Sequence, residues 1–135
     1  MKKFVYTSGY FNPLHKGHIR LFQEAKKYGK ELIVIVNNDF QVKLKGAKPF
    51  MTEDERLEVV RAIRYVDAAI LAIDTDRTVR KTLAQLEPGV FVKGGDSTIE
   101  NVPEMALCKR LGFKVVFGVG GDKVQSSSWL KDKIK

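Results

Sequence analysis

Apolar residues fall along this chain in two alternating rhythms. Short runs rich in β-branched and aromatic side chains, at residues 4–6, 31–37, 67–73, 90–92 and 114–117, have the length and composition of strands. The run 31–37 has no polar alternation at its centre, the pattern of a strand covered on both faces. Between these runs lie segments with helical spacing. Residues 19–25 follow the first strand, and Thr52-Glu53-Asp54-Glu55 reads as a capping box that starts a helix with Leu57, Val60 and Ile63 on one face. Residues 78–86, ended by Pro88-Gly89, then 103–111 and 128–133, complete the helices. Strands alternating with helices predict an α/β domain with a largely parallel sheet. No internal repeat, low-complexity tract or linker interrupts the 135 residues, so the reading is one domain, 1–135.

In such sheets ligands bind beyond the carboxyl ends of the strands, so the loops there hold the candidate chemistry. The first is Gly9-Tyr10-Phe11-Asn12-Pro13-Leu14-His15-Lys16-Gly17-His18. Gly9 and Gly17 read as points where the backbone can approach a ligand, and a helix starting near Gly17 aims N–H groups at that space. That arrangement suits a phosphate. His15 and His18, the chain's only histidines, can converge on one anionic group from a first helical turn, with Lys16 adding charge. Two other readings stay open: a plain surface turn, and a zinc pair, although no cysteine and no acidic residue nearer than Glu24 completes a ligand set. A second loop, 37–51, carries Asn38, Asp39, Lys43, Lys45, Gly46 and Lys48. A third is Lys93-Gly94-Gly95-Asp96-Ser97. A fourth, 118–123, includes Lys123 and precedes Ser126-Ser127-Ser128, whose hydroxyls suit a helix start where unused N–H groups bind phosphate oxygens.

Charge narrows the partners only partly. The net charge of +8, from 24 basic and 16 acidic residues, favours anions without separating a triphosphate from a nucleic-acid backbone. The lysine clusters are not interleaved with aromatics as a single-strand binder's would be, so a nucleic-acid partner is not expected. A single cysteine, Cys108, excludes an internal disulfide and reads as a small buried residue. No run has the length of a membrane span or a signal peptide, which points to a cytoplasmic protein without a membrane partner.

The His-x-Gly-His pattern behind Gly-x-Phe-Asn-Pro resembles the signature of the HxGH nucleotidyltransferases. Val36-Asn37-Asn38-Asp39, Leu44-Lys45-Gly46, Glu55-Arg56, Val66-Asp67 and Lys93-Gly94-Gly95-Asp96 extend the likeness to the adenylyltransferase part of ADP-heptose synthases. Ser126-Ser127-Ser128-Trp129-Leu130 is similar to the superfamily's last helix start. The resemblance implies a Rossmann-like, doubly wound, five-stranded parallel sheet of order 3-2-1-4-5, commonly in a homodimer. It further implies transfer of a nucleoside monophosphate from a magnesium-bound nucleoside triphosphate to a phosphorylated small molecule, with release of pyrophosphate. His15, His18 and Lys45 would be catalytic. Gly9, Tyr10, Phe11, Asn12, Gly17, Lys93, Gly95, Asp96, Ser126, Ser127 and Ser128 would bind the nucleotide, and Lys43 and Lys123 would touch a phosphate of either substrate. Magnesium would come with the triphosphate and not from a structural site of protein ligands. Two departures matter. Asn12 stands where many relatives have aspartate, so the first motif does not fix the acceptor; no arginine precedes the serines as in glycerol-3-phosphate cytidylyltransferases, and with the Leu44-Lys45-Gly46 and Lys93-Gly94-Gly95-Asp96 likeness this makes ATP and a sugar 1-phosphate expected over CTP and glycerol 3-phosphate. A cytidylyltransferase, or a nucleotide sensor without turnover, is the alternative.

Overall fold

The computed structural model describes residues 2–94 and 102–120. Its elements are β1 (Lys2–Gly9), α1 (Lys16–Ala25), β2 (Gly29–Val36), α2 (Asp39–Leu44), α3 (Glu53–Arg61), β3 (Ala68–Leu71), α4 (Arg80–Ala84), β4 (Val90–Gly94), α5 (Met105–Leu111) and β5 (Lys114–Val119). The five strands form one sheet in the order β3-β2-β1-β4-β5, and every pair is parallel. This is the Rossmann-like α/β order expected from the sequence. Because β1 has β2 on one side and β4 on the other, the strand order reverses beside β1, which places the crevice at its carboxyl end, Gly9.

Alternation along the strands sorts the core into two layers. Val5, Val34, Val36, Val90 and Val92 pack with Phe22 and Ala25 of α1 and Val60 of α3. Tyr6, Ile35 and Phe91 face the other way, onto Leu83 of α4 and Cys108 of α5. Both faces of the central strands are therefore dry, as the unbroken apolar run of β2 requires. Leu57 and Ile63 pack beside Val60 on the first cluster, on the face predicted for α3. Cys108 is fully buried, and burial, ahead of the charge of Glu104, pushes its thiol up to about 11, so it is inert as a nucleophile at neutral pH.

The structure departs from the sequence reading in four places. Residues 37–51 are not all loop: Asn38 caps α2 by accepting from Gln41 N at 2.9 Å, while Gln41 Oε1 accepts from Asn38 N at 2.9 Å. This reciprocal capping box lay readable in Asn38-x-x-Gln41, but Phe40, Val42 and Leu44 alternate with period two and masked the helix. Lys43 is consequently a residue of the last turn of α2, and Lys45 is its C-cap. At α3 the structure shows the Thr52 half of the predicted capping box, accepting from Glu55 N at 3.3 Å. β3 is shorter than residues 67–73, because its register with β2 ends at Leu71 and the chain bends at residues 75–78. The buried Asp74 carboxylate accepts from Lys81 N at 2.6 Å and from Thr82 N at 3.1 Å, which sets the start of α4 later than the expected residue 78. The expected last helix, 128–133, lies outside the described residues.

Asp74→Ala removes both backbone bonds and that of the Thr82 hydroxyl, leaving buried donors without a partner. The expected loss is about 3 kcal/mol in the free energy of unfolding. Urea unfolding of the purified variant measures it.

Candidate active site

β1 delivers the chain at Gly9 into the histidine loop. Phe11 follows with φ of 50°, in the left-handed region that costs a residue with a side chain about 1–2 kcal/mol. Its ring offsets that cost by burial: it is 2% exposed and meets Phe22 edge-on at 5.5 Å between centroids. A Cβ on Gly9 would lie 2.7 Å from this ring. The missing side chain of Gly9 therefore makes room for Phe11, which corrects the expectation that it opens the backbone to a ligand. Gly94 behaves similarly, since a Cβ there would lie 3.2 Å from both Leu21 Cδ1 and Val119 O.

His15 is the N-cap of α1 and His18 sits in its first turn. Gly17 N donates to His15 Nδ1 at 3.1 Å, and His15 N donates to His18 Nδ1 at 3.1 Å. The Gly17 N–H, expected to point at a ligand, is thus engaged by His15. The two rings stack at 3.8 Å between centroids, with Phe11 edge-on to His18 at 4.8 Å. A nitrogen that accepts a hydrogen bond carries no proton, so both imidazoles hold theirs on Nε2. Burial, then the neighbouring His15 imidazole and the Lys45 ammonium, which disfavour a second proton here, lowers the pKa of His18 to about 3. At neutral pH His18 is an uncharged Nε2–H donor with its proton acceptor side already used.

Two side chains bind this loop to the segment that carries the lysines. The Asn12 amide, 3% exposed, donates from Nδ2 to Lys48 O at 2.9 Å, and its Oδ1 accepts from Phe50 N and, at 3.3 Å, from Met51 N. The peptide after it, Asn12-Pro13, is cis. Arg56 is fully buried. Its guanidinium donates to Tyr10 O at 2.7 Å, Asn37 O at 2.6 Å and Met51 O at 3.1 Å, and pairs with Asp39 Oδ1 at 2.8 Å. Sequence reasoning noted Arg56 only as part of a resemblance and gave it no role. A signal was present: Arg56, Val60 and Ile63 fall at i, i+4 and i+7 of α3, so the arginine is aligned with the apolar face.

Lys45, exposed at the end of α2, lies with Nζ 4.4 Å from the centroid of the Tyr10 ring and near enough to influence His18. The structure thus brings together Gly9, Tyr10, Phe11, Asn12, His15, Gly17, His18 and Lys45. Lys43 and Lys48 are exposed nearby in the chain. Lys93 takes a different place: it shares a strand face with Phe91, its Nζ 5.5 Å from that ring, on the α4 and α5 layer and away from α1. Gly95, Asp96, Lys123, Ser126, Ser127 and Ser128 lie outside the described residues. Among the described residues no group of three or more His, Cys, Asp or Glu side chains gathers to hold a metal ion.

The family model described as cytidylyltransferase-like matches residues 6–126. The chain belongs to the cytidylyltransferase-like family. Its relatives in that family include the bifunctional protein HldE of Geobacter metallireducens, 39% identical over 116 residues, which are 84% of this chain and 23% of that protein. The FAD synthase of Methanohalophilus mahii is 38% identical over 109 residues, covering 81% of this chain and 75% of that one. The crystal structure of the lipopolysaccharide core biosynthesis protein of Thermoplasma volcanium superposes with a TM-score of 0.75 at 31% identity, over 87% of this chain and 96% of that one. The chain thus spans about a quarter of the length of HldE. Among the described residues of this cytidylyltransferase-like domain no helix is long and apolar enough to cross a membrane.

The lowered pKa of His18 links the site to acid stability. Unfolded, the imidazole binds a proton near pH 6.5; folded, it resists one down to about 3, so its stabilising contribution is complete above pH 6.5 and is lost as pH falls toward 3. Thermal melting from pH 7 to pH 5 should fall more steeply for the wild type than for His18→Asn, whose amide oxygen can still accept from His15 N.

Proposed function

We propose that the chain transfers a nucleoside monophosphate from a nucleoside triphosphate to a phosphorylated sugar, with ATP the preferred donor. The observation that carries this is the locked histidine pair: two stacked, neutral rings whose Nδ1 atoms are used, leaving Nε2–H as the proton-bearing side, with the Lys45 charge beside them. In the reaction an oxygen of the acceptor phosphate attacks the α-phosphorus, the bond from that phosphorus to the bridging oxygen breaks, and pyrophosphate leaves with the electron pair. An acceptor phosphate is already ionised at neutral pH, so no general base is needed. What the protein supplies is alignment and compensation of the negative charge that grows on the bridging and leaving oxygens. Neutral N–H donors held by the backbone do this without reorganising, and the ammonium of Lys45 adds the positive charge they lack.

Magnesium fits this scheme as the companion of the triphosphate, with its chemistry that of a counter-charge on the phosphates. The described carboxylates do not gather to bind it, and no step here depends on it. Support for ATP comes from the relatives: an FAD synthase by its name makes a product containing adenylate, and HldE is the relative that the Leu44-Lys45-Gly46 and Lys93-Gly94-Gly95-Asp96 likeness pointed to. A sugar 1-phosphate acceptor rests on the HldE likeness alone. A CTP-dependent enzyme is the second reading, favoured by the description of the matched family.

Pyrophosphate release from a panel of nucleoside triphosphates and sugar or polyol phosphates tests the proposal. Release with ATP and a sugar 1-phosphate is expected; release only with CTP would replace the adenylyl reading, and none with any pair would end it. His18→Ala is expected to lower turnover by roughly a hundredfold, and His15→Ala somewhat less, as for loss of one preorganised donor. Lys45→Ala should reduce kcat/KM while leaving the melting temperature within about 2 °C of wild type, a shift corresponding to well under 1 kcal/mol. An unfolded Lys45→Ala protein would make that lysine structural.

A further inference from the structure

His18 and Phe22 lie one turn apart on the same face of α1, and the ring of Phe11 packs on both. It meets His18 at 4.8 Å between centroids with the planes at 81°, and Phe22 at 5.5 Å with the planes at 64°. Only 2% of Phe11 is exposed, so its side chain has no surface to offer a substrate. The ring is nonetheless held in place against strain. The backbone at Phe11 is in the left-handed region, with φ of 50°, and the ring fills the space where a Cβ on Gly9 would come within 2.7 Å of Cζ and 2.8 Å of Cε1. A side chain that only filled the core could do so from an ordinary backbone; strain kept at a residue in contact with a reacting group points to a constraint on that group.

We propose that Phe11 is a positioning residue for the reaction: its ring braces the His18 imidazole so that Nε2–H keeps one direction toward the substrate phosphates. This rests on the nucleotidyl-transfer reading of the site. The bond from His15 N to His18 Nδ1, 3.1 Å long, fixes one atom of the imidazole and still allows the ring to swing about the bond that carries it. Contacts on its sides remove that freedom. The His15 ring stacks against it at 3.8 Å with the planes 23° apart, and Phe11 crosses it nearly at right angles. A donor that must meet charge developing in the transition state works only if its direction is set beforehand, and an error of about an ångström costs up to roughly a hundredfold in rate. Gly9 takes part at one remove, because a side chain there would push the Phe11 ring off its place.

Nitrogen-15 NMR of the imidazoles and steady-state kinetics of the whole chain test this for the wild type, Phe11→Leu, Gly9→Ala and, as a control, Phe91→Leu, since Phe91 is fully buried in the opposite layer of the core. Phe11→Leu and Gly9→Ala should each lower kcat about tenfold while KM for the nucleotide stays within about twofold of the wild type. In both, His18 should show a mixture of Nδ1–H and Nε2–H forms where the wild type shows Nε2–H alone. Phe91→Leu should lower the melting temperature and change neither. In the wild type itself, a nuclear Overhauser effect between the ring protons of Phe11 and those of His18 is expected. Wild-type kcat in a folded Phe11→Leu or Gly9→Ala protein overturns the inference, and so does an equal loss of kcat in Phe91→Leu, which would make Phe11 structural. Absence of the Overhauser effect in the wild type overturns it even if neither variant folds. Failure of the wild type to release pyrophosphate with any pair of substrates overturns the nucleotidyl-transfer reading instead; the Overhauser and tautomer measurements need no substrate, so they show separately whether Phe11 braces His18.

Discussion

A single buried guanidinium organises this site. Arg56 reaches from α3 under both the histidine loop and the segment that carries α2, taking the carbonyls of Tyr10, Asn37 and Met51 and the carboxylate of Asp39. Placing a charge where no water reaches is costly unless it is paired and hydrogen-bonded, and here three carbonyls and an anion accept four hydrogen bonds from the guanidinium. Such a cation cannot be moved or shortened without leaving buried groups unpaired, so the histidine loop and α2 keep one relative position. Asn12 repeats the connection a few residues away with its own three bonds to the 48–51 backbone. The positions of the histidines and of Lys45 are therefore properties of one packed unit and not of two independent loops.

The electrostatics follow from that frame. Burial and two nearby basic groups would make a protonated His18 unstable, while the backbone donors already occupy both Nδ1 atoms. The two rings are therefore uncharged dipoles, with the Lys45 ammonium nearby over the Tyr10 ring. That arrangement suits the reaction we propose, in which a polyanionic substrate arrives and a charged product must depart. Neutral donors discriminate the charge that develops in the transition state, whereas a cluster of fixed cations would bind substrate and product alike.

Much of this was legible in the sequence because periodicity and motif spacing report local structure. The alternation of strands and helices and the adjacency of His15 to His18 follow from patterns a few residues long, whereas the strand order came from the family resemblance. Helix α2 was missed because it is six residues long with its apolar residues alternating, so only the Asn38 and Gln41 cap marked it. Arg56 is a different case: its alignment with the apolar face of α3 marks it as buried, but Asp39, Asn37 and Tyr10, the partners that give it a role, lie 17, 19 and 46 residues away, beyond what a local window of sequence can pair. The glycines misled in the opposite sense. Gly9 looked like an opening for a ligand, but its missing side chain is required by a ring two residues further on.

The central claim is that both histidines are held as neutral Nε2–H tautomers by backbone donors. Nitrogen-15 NMR of the imidazole rings in the whole chain at pH 7 reads this directly. The account predicts that His15 and His18 each show a protonated, pyrrole-type Nε2 and an unprotonated, pyridine-type Nδ1, before and after tripolyphosphate is added. A proton on Nδ1 of either ring, or an imidazolium at His18 at that pH, would contradict it.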